Sequence, residues 1–480
     1  MSDGTERTPD SPASAEGADL GRRRFFRQFA SELIQTAATV AGAASALQRS
    51  SAEAASAILE STGVNEPGAG ATPGRGVGPG GGPDGGPSVR RSVFRTAFRF
   101  EEDALVLLDQ RRLPDELVEV ECRTAAEVAH AIRERVIRGA PAIGQAAALG
   151  LALAAHRMRQ ARAYARRATL RGSANALINA RPTSITIRAA VDRMLARYEA
   201  VGDLTDDGAA VADALRAEAD AIVFEATTAH GRIAELGLAE LPGPEERPLR
   251  ILTLGNSGVL GGGQYGTALG IVLAAAAAGR ELELRVCETR PLLQGARLTT
   301  WELANAGVAH TLIADAAAGA LVARGEIDLV LVAADRVAAN GDFAAIVGTY
   351  PLALLAARHG LPFLVAAPLC TVDLATADGR ALPIEERPAH ELLRIGATPI
   401  APAGTRAANP LADITPGELI SAIVTEAGVL RAPFEPALRA AVEAAEAARA
   451  RRTGEPIVLA PSGTEGSSPG APSAGDPGIS

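Results

Sequence analysis

From residue 250 onward, short apolar runs alternate with stretches that have the composition of helices. The runs read "RILTL", "ELRVCE", "HTLIA", "DLVLVAAD" and "PFLVAAP". They are continuously apolar rather than alternating, which is typical of strands covered on both faces. The succession of strands and helices predicts a parallel, doubly wound sheet. We therefore expect a Rossmann-like α/β domain over residues 246–460.

The rest of the chain has other compositions. Residues 91–245 open with a short β-like segment and continue as long Ala, Leu and Arg patterns. These patterns predict a mostly helical N-terminal domain with a small β element. Residues 64–90 are rich in Gly and Pro and are expected to form a disordered linker, and residues 461–480 a tail of the same character. Residues 1–63 form an N-terminal extension.

The N-terminal extension contains a basic segment, residues 22–27, followed by a weakly apolar stretch. One interpretation is a twin-arginine export signal. The other is a basic amphipathic helix that docks on a membrane surface or on a protein partner. Glu32 and Gln35 interrupt the apolar stretch, so we favour the helix and expect a cytoplasmic protein.

Charge and cysteine usage exclude several classes of function. A net charge of -9 and an aromatic content of 3% argue against a nucleic-acid partner. Cys122, Cys287 and Cys370 lie far apart and form no CxxC pair. We therefore expect reduced thiols, with neither a disulfide framework nor a metal site. No apolar run is long enough to predict a transmembrane helix.

Asp335 follows the apolar run Asp328–Ala334, at the predicted carboxyl end of a strand. Parallel sheets bind ligands at this edge, which would also receive the loops Gly255–Gly258 and Glu288–Arg290. Burial there would raise the pKa of Asp335 and suit it to act as a general acid. The alternative is a structural aspartate that caps the next helix or pairs with Arg336.

Three further motifs predict ligand contacts. The stretch "RGAPAIG", Arg138–Gly144, places Arg and Pro at a helix start, where free N–H groups and the guanidinium would bind a phosphate. The Gly-rich stretch "GNSGVLGGGQYGTALG" permits close approach of backbone to a ligand, although it is neither a P-loop nor a good dinucleotide fingerprint. Gln294 and Arg297 would share one helix face. The alternatives are an exposed arginine and a solvated helix face.

Together these motifs resemble one family. The stretches "LLDQRRLP", "RGAPAIG", "RPT", "ETRPLLQGARLTTWEL", "AADRVAANGD" and "PIEER" follow in this order within residues 93–435. Their order and content are similar to methylthioribose-1-phosphate isomerase. The wider superfamily includes ribose 1,5-bisphosphate isomerase and the non-catalytic regulatory subunits of the nucleotide exchange factor in eukaryotic translation initiation.

The resemblance implies an aldose–ketose isomerase of methionine salvage, dimeric and without a cofactor. It would convert 5-methylthioribose 1-phosphate into 5-methylthioribulose 1-phosphate. Because the phosphate on C1 prevents ring opening, such an enzyme protonates the ring oxygen and moves hydrogen from C2 to C1. Asp335 would be the proton donor. The candidate substrate-binding residues are Arg138, Gly139, Ala140, Arg181, Gln294, Gly255 and Asn256.

The chain departs from the family pattern at several of these places. Gly255 stands where the family has a cysteine that assists catalysis, and Ala345–Ile346 where it has an Asn-Lys pair that binds substrate. Thr186 stands where the family usually has Asn. One hypothesis is that Cys287 or Cys370 supplies a replacement thiol. The departures favour an alternative function, a non-catalytic protein that binds a phosphorylated sugar or a nucleotide, whereas the retained motifs favour the isomerase.

Overall fold

The computed structural model describes residues 88–91, 96–101, 103–203, 207–243 and 246–453.

The predicted extension at residues 1–63 and the predicted tail at residues 461–480 lie outside the described residues, as does the predicted linker up to residue 87. Residues 88–90, which were expected to end the linker, belong to the first strand.

The N-terminal half combines a small antiparallel sheet with a group of helices. The strands are β1 Ser88–Arg91, β2 Phe98–Glu101, β3 Ala104–Leu108 and β4 Val118–Cys122. The helices are α1 Ala125–Arg133, α2 Ala140–Arg157, α3 Ala163–Ala180, α4 Ile185–Val201 and α5 Ala209–Glu240. The sheet has the order β1-β4-β3-β2, with every pair antiparallel. This half is therefore mostly helical, as predicted.

Helix α2 lies at the centre of the N-terminal half. Its residues 142–155 are all buried, so the helix has no solvated face along this length. An apolar composition on every side suits a helix that is surrounded by others, and α4 and α5 both pack against it. The core of this half therefore forms around α2.

The C-terminal half is built on a seven-stranded sheet with the order β17-β16-β11-β8-β5-β6-β7. All neighbouring strands are parallel except β16 and β17. Its elements, in chain order, are β5 Leu249–Thr253, α6 Val259–Gly262, α7 Ala268–Ala277, β6 Leu282–Cys287, α8 Thr300–Ala306, β7 His310–Ile313, α9 Ala318–Ala323, β8 Leu329–Ala333, β9 Arg336–Ala338, β10 Phe343–Ile346, α10 Thr349–His359, β11 Phe363–Ala366, β12 Val372–Asp373, α11 His390–Leu393, β13 Arg394–Ile395, β14 Thr398–Pro399, β15 Ala412–Thr415, β16 Ala422–Thr425, β17 Gly428–Leu430 and α12 Phe434–Thr453.

The α/β fold class predicted from the sequence is confirmed. Each of the apolar runs that predicted a strand forms one, namely β5, β6, β7, β8 and β11. A second sheet, β12-β9-β10-β15, was not among the predicted elements. It begins where the chain leaves β8, because β9 and β10 form an antiparallel hairpin across the turn of the "NGD" motif.

The segment between the second sheet's strands β12 and β15 extends over the carboxyl edge of the parallel sheet. Its residues 382–411, called here the 382–411 segment, include α11 and the short pair β13–β14. Arg290 donates a hydrogen bond to the carbonyl oxygen of Leu392 at 2.8 Å, which attaches the segment to the loop after β6. Within the described residues, no helix is long and apolar enough to cross a membrane.

A buried ion pair joins helix α3 to the loop after α4. The side chains of Arg166 and Asp203 are 0% and 2% exposed. Arg166 Nε donates to Asp203 at 3.0 Å, and the hydroxyl of Tyr198 donates to the same carboxylate at 2.8 Å. The carboxylate therefore compensates a guanidinium that has no access to water.

We predict that Asp203→Ala lowers the free energy of unfolding by about 3–5 kcal/mol, since it leaves the Arg166 guanidinium buried without its carboxylate. Tyr198→Phe, the matched control, keeps the ion pair and removes the hydroxyl's hydrogen bond to the carboxylate. It is expected to lower the free energy of unfolding by about 1 kcal/mol. Urea unfolding followed by circular dichroism measures both. Equal losses in the two variants would contradict the prediction.

Candidate functional site

A cavity lies between the carboxyl edge of the parallel sheet and the N-terminal half. It spans about 950 Å³, including its mouth to solvent. The predicted residues that line it are Arg138, Gly139, Arg181, Gly255, Asn256, Gln294 and Asp335. Ala140 lines a smaller adjoining cavity, together with Arg181 and Asp335. The structure thus brings all the predicted site residues together, and their individual roles stay predictions.

Two glycine motifs meet at the base of the cavity. Gly139, before α2, has a φ of 98°, a conformation that favours glycine. A Cβ added there would lie 2.2 Å from the carbonyl oxygen of Gly261, in the Gly-rich loop after β5. A larger residue at 139 would therefore separate the two halves. The contact brings Arg138 and Asn256 to the same cavity.

Arg138 is a buried cation at the start of α2. Its side chain is 9% exposed, and its Nε and Nη1 atoms have no hydrogen-bond partner among the described residues. Burial, together with the nearby Arg135, lowers the pKa of Arg138 to about 9. Buried polar groups normally have partners. An anion at this helix N-terminus would supply one, because both the guanidinium and the free N–H groups favour negative charge.

Three other arginines of the cavity wall pair with carboxylates of the 382–411 segment. Arg135 lies 3.1 Å from Glu391, and Arg181 lies 3.5 Å from Glu385. Arg387 contacts both carboxylates, Glu385 at 2.5 Å and Glu391 at 2.9 Å. The arginine cluster is therefore largely neutralised from within the chain.

Asp335 lies where the chain passes from the parallel sheet to the second sheet. Its backbone N–H donates to the carbonyl oxygen of Ala344 at 2.9 Å, which ties it to β10. Arg336 pairs with Asp373 rather than with Asp335, and a strand rather than a helix follows. Neither structural alternative considered for Asp335 occurs, and its carboxyl group lines the cavity.

Burial raises the pKa of the Asp335 carboxyl group. The positive charge of Arg181 opposes this shift, and the negative charge of Glu385 adds to it. A carboxyl group with a raised pKa can keep its proton closer to neutral pH, as a general acid requires.

The backbone of Gly255 is held on both sides by threonines. Its N–H donates to Thr289 Oγ1 at 3.0 Å, and its carbonyl oxygen accepts from Thr299 Oγ1 at 2.6 Å. Thr289 itself has a φ of 64°, which is an uncommon conformation for a β-branched residue. Such strained positions cluster at functional sites.

Apolar residues of the C-terminal half, called here the apolar wall, also line the cavity. Leu254, Gly255, Ala345, Ile346 and Leu411 contribute to it. Gly255 has a φ of 85°, and a Cβ added there would lie 3.1 Å from the Cγ2 atom of Ile346. Gly255 and Ile346, two of the positions at which the sequence analysis expects a departure from the family pattern, are therefore neighbours.

Asn256 follows Gly255 and lines the same cavity. Both polar atoms of its side chain, Oδ1 and Nδ2, are buried and have no hydrogen-bond partner among the described residues. An amide can both donate and accept. A polar ligand group would therefore satisfy it.

Comparisons with known proteins identify the family. Residues 136–432 match the initiation factor 2 subunit family. The methylthioribose-1-phosphate isomerase of Desulforudis audaxviator is 49% identical over 343 residues, which cover 72% of this chain and 96% of that protein. The chain belongs to the methylthioribose-1-phosphate isomerase family.

Solved structures support the same assignment. The crystal structure of 5-methylthioribose 1-phosphate isomerase from Pyrococcus horikoshii OT3 has a TM-score of 0.67 at 35% identity, and the match covers 73% of this chain and 96% of that one. The translation initiation factor eIF-2B, subunit delta, from A. fulgidus has a TM-score of 0.63, also at 35% identity, covering 72% and 99%. The resemblance of this chain to the methylthioribose-1-phosphate isomerase family is confirmed.

Several site residues were not singled out from the sequence of this family member. Arg135, Arg387, Glu385 and Glu391 form the ion pairs around the cavity. The stretch "PIEER" contains two of them and was noted as a motif, but nothing in the sequence showed what it contacts. Arg297, expected to share a face with Gln294, instead donates to backbone of the N-terminal half, including the carbonyl oxygen of Leu113 at 2.6 Å.

The thiols of the described residues lie elsewhere. Cys287 is fully buried, and burial raises the pKa of its thiol to about 12. Cys370 is exposed. Neither lines the cavity, so their positions argue against a replacement thiol. In the described part of the chain, no group of His, Cys, Asp or Glu side chains is arranged to hold a metal ion.

The carboxylate of Glu302 supports the Gly-rich loop after β5 through hydrogen bonds to its backbone. It is 6% exposed and accepts hydrogen bonds from the N–H groups of Val259, at 2.7 Å, and of Leu260, at 3.3 Å. Burial raises the pKa of Glu302 to about 7. The folded state therefore retains a proton that the unfolded chain releases near its ordinary pKa of 4.5.

We predict that the contribution of Glu302 to the free energy of unfolding decreases as pH rises from about 5 to about 7. The decrease is expected to be about 1.4 kcal/mol per pH unit. Below this window both states hold the proton, and above it both release it. Glu302→Gln is expected to remove this slope, whereas the exposed control Glu418→Gln retains it. Urea unfolding at the two pH values measures both. A wild-type slope in Glu302→Gln would refute the prediction.

We predict that Arg138→Met raises the free energy of unfolding of the ligand-free protein by about 1–3 kcal/mol, because it removes an uncompensated buried charge. The same variant is expected to lose the thermal stabilisation that inorganic phosphate gives the wild type. Arg387→Met is the contrasting control, since it removes the guanidinium that Glu385 and Glu391 share and should destabilise. Melting curves with and without phosphate test this, and an unchanged phosphate response would contradict it.

Proposed function

We propose that the protein isomerises 5-methylthioribose 1-phosphate to 5-methylthioribulose 1-phosphate. The observation that carries the proposal is that one cavity is lined both by arginines and by apolar side chains, with Asp335 in the same lining. The substrate named for the family's members has a phosphate at one end and a methylthio group at the other. The relatives from Desulforudis audaxviator and Pyrococcus horikoshii OT3 are named for this isomerase activity.

The arginines that line the cavity support binding of the phosphate. Arg138 has unpaired nitrogen atoms and lies at the N-terminus of the long helix α2. Because Arg135, Arg181 and Arg387 are engaged by Glu385 and Glu391, the buried Arg138 is the group best placed to compensate a dianion. Gln294 and Asn256 would then bind the sugar hydroxyl groups.

The apolar wall supports binding of the methylthio group. Leu254, Ala345 and Ile346 present side chains without polar atoms to the cavity. A thioether methyl group transferred there from water gains about 0.8 kcal/mol for each buried carbon.

Asp335 would carry out the proton transfers. It donates a proton to the ring oxygen as the bond from C1 to that oxygen breaks. Hydrogen then moves from C2 to C1, and the hydroxyl proton on C2 passes to the Asp335 carboxylate as the ketone forms. The carboxyl group ends as it began, so the reaction consumes no cofactor. The expectation that Gly255, Ala345 and Ile346 replace family functional residues stays a prediction, and it implies a slower reaction than one with all groups present.

We predict that the purified protein forms ketose from 5-methylthioribose 1-phosphate and that Asp335→Asn lowers kcat about 10²–10⁴-fold, the usual contribution of one acid–base group. Product is measured as ketose after quenching. Asp378→Asn, which alters a carboxylate outside the cavity, is expected to leave kcat unchanged. Activity that survives Asp335→Asn would refute the role of Asp335.

A second candidate function is non-catalytic binding of a phosphorylated sugar or nucleotide. The contact of Gly255 with Ile346 favours it, because the apolar wall supplies no proton-transfer group there. The similarity to a translation initiation factor subunit is consistent with it. Phosphate-dependent stabilisation without turnover of any pentose 1-phosphate would support this function over the isomerase.

The compartment, the oligomeric state and the partners of the protein are proposals as well. We propose a cytoplasmic homodimer with a phosphorylated sugar as its small-molecule ligand. The free thiols of Cys122, Cys287 and Cys370 support a reducing compartment. The membrane or protein partner of the basic N-terminal helix lies outside the described residues and stays a prediction.

A further inference from the structure

We infer that Glu385 is a positioning residue that holds Arg181 and thereby preserves the proton on Asp335. The inference rests on the proposed function, in which Asp335 is the proton donor. It adds a role for the 382–411 segment, which contains Glu385 and none of the site residues expected from the sequence.

Glu385, Arg181 and Asp335 meet at one place. All three line the main cavity, and all three also line the smaller adjoining cavity. Together with Leu411 they therefore lie where the two spaces adjoin, a place called here the partition. Arg181 follows the end of α3 in the N-terminal half, Asp335 follows β8, and Glu385 belongs to the 382–411 segment. Three separate parts of the fold thus supply this partition.

The Glu385 carboxylate is held by two arginines. Arg387 lies 2.5 Å away and Arg181 lies 3.5 Å away. Arg387 is itself fixed by Glu391, at 2.9 Å. Because Arg387 anchors Glu385 from its own segment, the carboxylate can hold the Arg181 guanidinium without moving towards it. The Arg181 side chain is 25% exposed, so without this partner it would be free to turn.

The charges around Asp335 have opposite effects on whether its carboxyl group keeps a proton. Arg181 favours the carboxylate form of Asp335, while Glu385 and burial favour the protonated form. Arg135, Arg138 and Arg387 also line the main cavity. An arginine that pairs directly with an aspartate lowers its pKa by about 1–3 units. By engaging Arg181, Glu385 prevents such a pair and adds a like charge beside Asp335.

The test is the pH at which Asp335 loses its proton in the ligand-free full chain. Aspartate labelled with ¹³C at the carboxyl carbon is followed by NMR against pH, and Asp335 is assigned by the signal lost in Asp335→Asn. Glu385→Gln keeps the size and a hydrogen-bond acceptor but removes the charge. The Asp335 midpoint is expected to fall by about 1 unit or more in this variant.

Glu391→Gln is the matched control, because it removes a carboxylate from the same segment that pairs with Arg135 and Arg387 but does not line either cavity. Its Asp335 midpoint should move much less than that of Glu385→Gln, because Glu391 acts on Asp335 only through Arg387. Glu385→Asp, which keeps the charge, should restore most of the wild-type midpoint. An unmoved midpoint in Glu385→Gln, or an equal fall in Glu391→Gln, would overturn the inference.

Arg181→Gln provides an independent measurement if Glu385→Gln does not fold. It removes the charge that Glu385 restrains, so the Asp335 midpoint is expected to rise, and a fall would overturn the inference.

In turnover assays, the alkaline limb of the kcat profile should move to lower pH in Glu385→Gln. A wild type without turnover, but with the expected NMR shifts, would refute the proposed function and leave the positioning role of Glu385 supported.

Discussion

The close contact between Gly139 and the backbone of Gly261 determines where the two halves of the molecule meet. No side chain fits between them, so the start of α2 lies directly against the Gly-rich loop after β5. Arg138 directly precedes this contact and lines the cavity beside it. The local requirement is for a missing Cβ atom, and the consequence is a site to which both halves contribute residues.

The cavity that results has its charges in a defined arrangement. Arginines come mainly from the N-terminal half, whereas their carboxylate partners Glu385 and Glu391 come from the 382–411 segment. Compensating most of the positive charge from within lowers the cost of assembling a buried cluster of like charges. The exception is Arg138, whose unpaired nitrogen atoms remain available to a ligand. The same segment therefore stabilises the ligand-free site and determines how many anionic groups it can accept.

The parallel sheet and the location of the site could be predicted from the sequence. The reason is physical: strands covered on both faces are apolar along their whole length, and parallel topology brings their carboxyl ends to one edge. Asp335 could be found in this way. The β9–β10 hairpin could not, since its residues carry no distinctive periodicity. Glu385 was missed for a different reason, because its partner Arg181 lies about two hundred positions earlier in the chain and only the folded structure brings them together.

The proximity of Gly255 to Ile346 couples these two positions. A Cβ atom at 255 would lie 3.1 Å from the Cγ2 atom of Ile346, and the left-handed backbone adds strain of its own. An unbranched or smaller residue at 346 would relieve the first of these costs but not the second. The effects of substitutions at 255 and 346 are therefore not additive. An engineer who introduces a nucleophile at 255 has to choose the residue at 346 together with it.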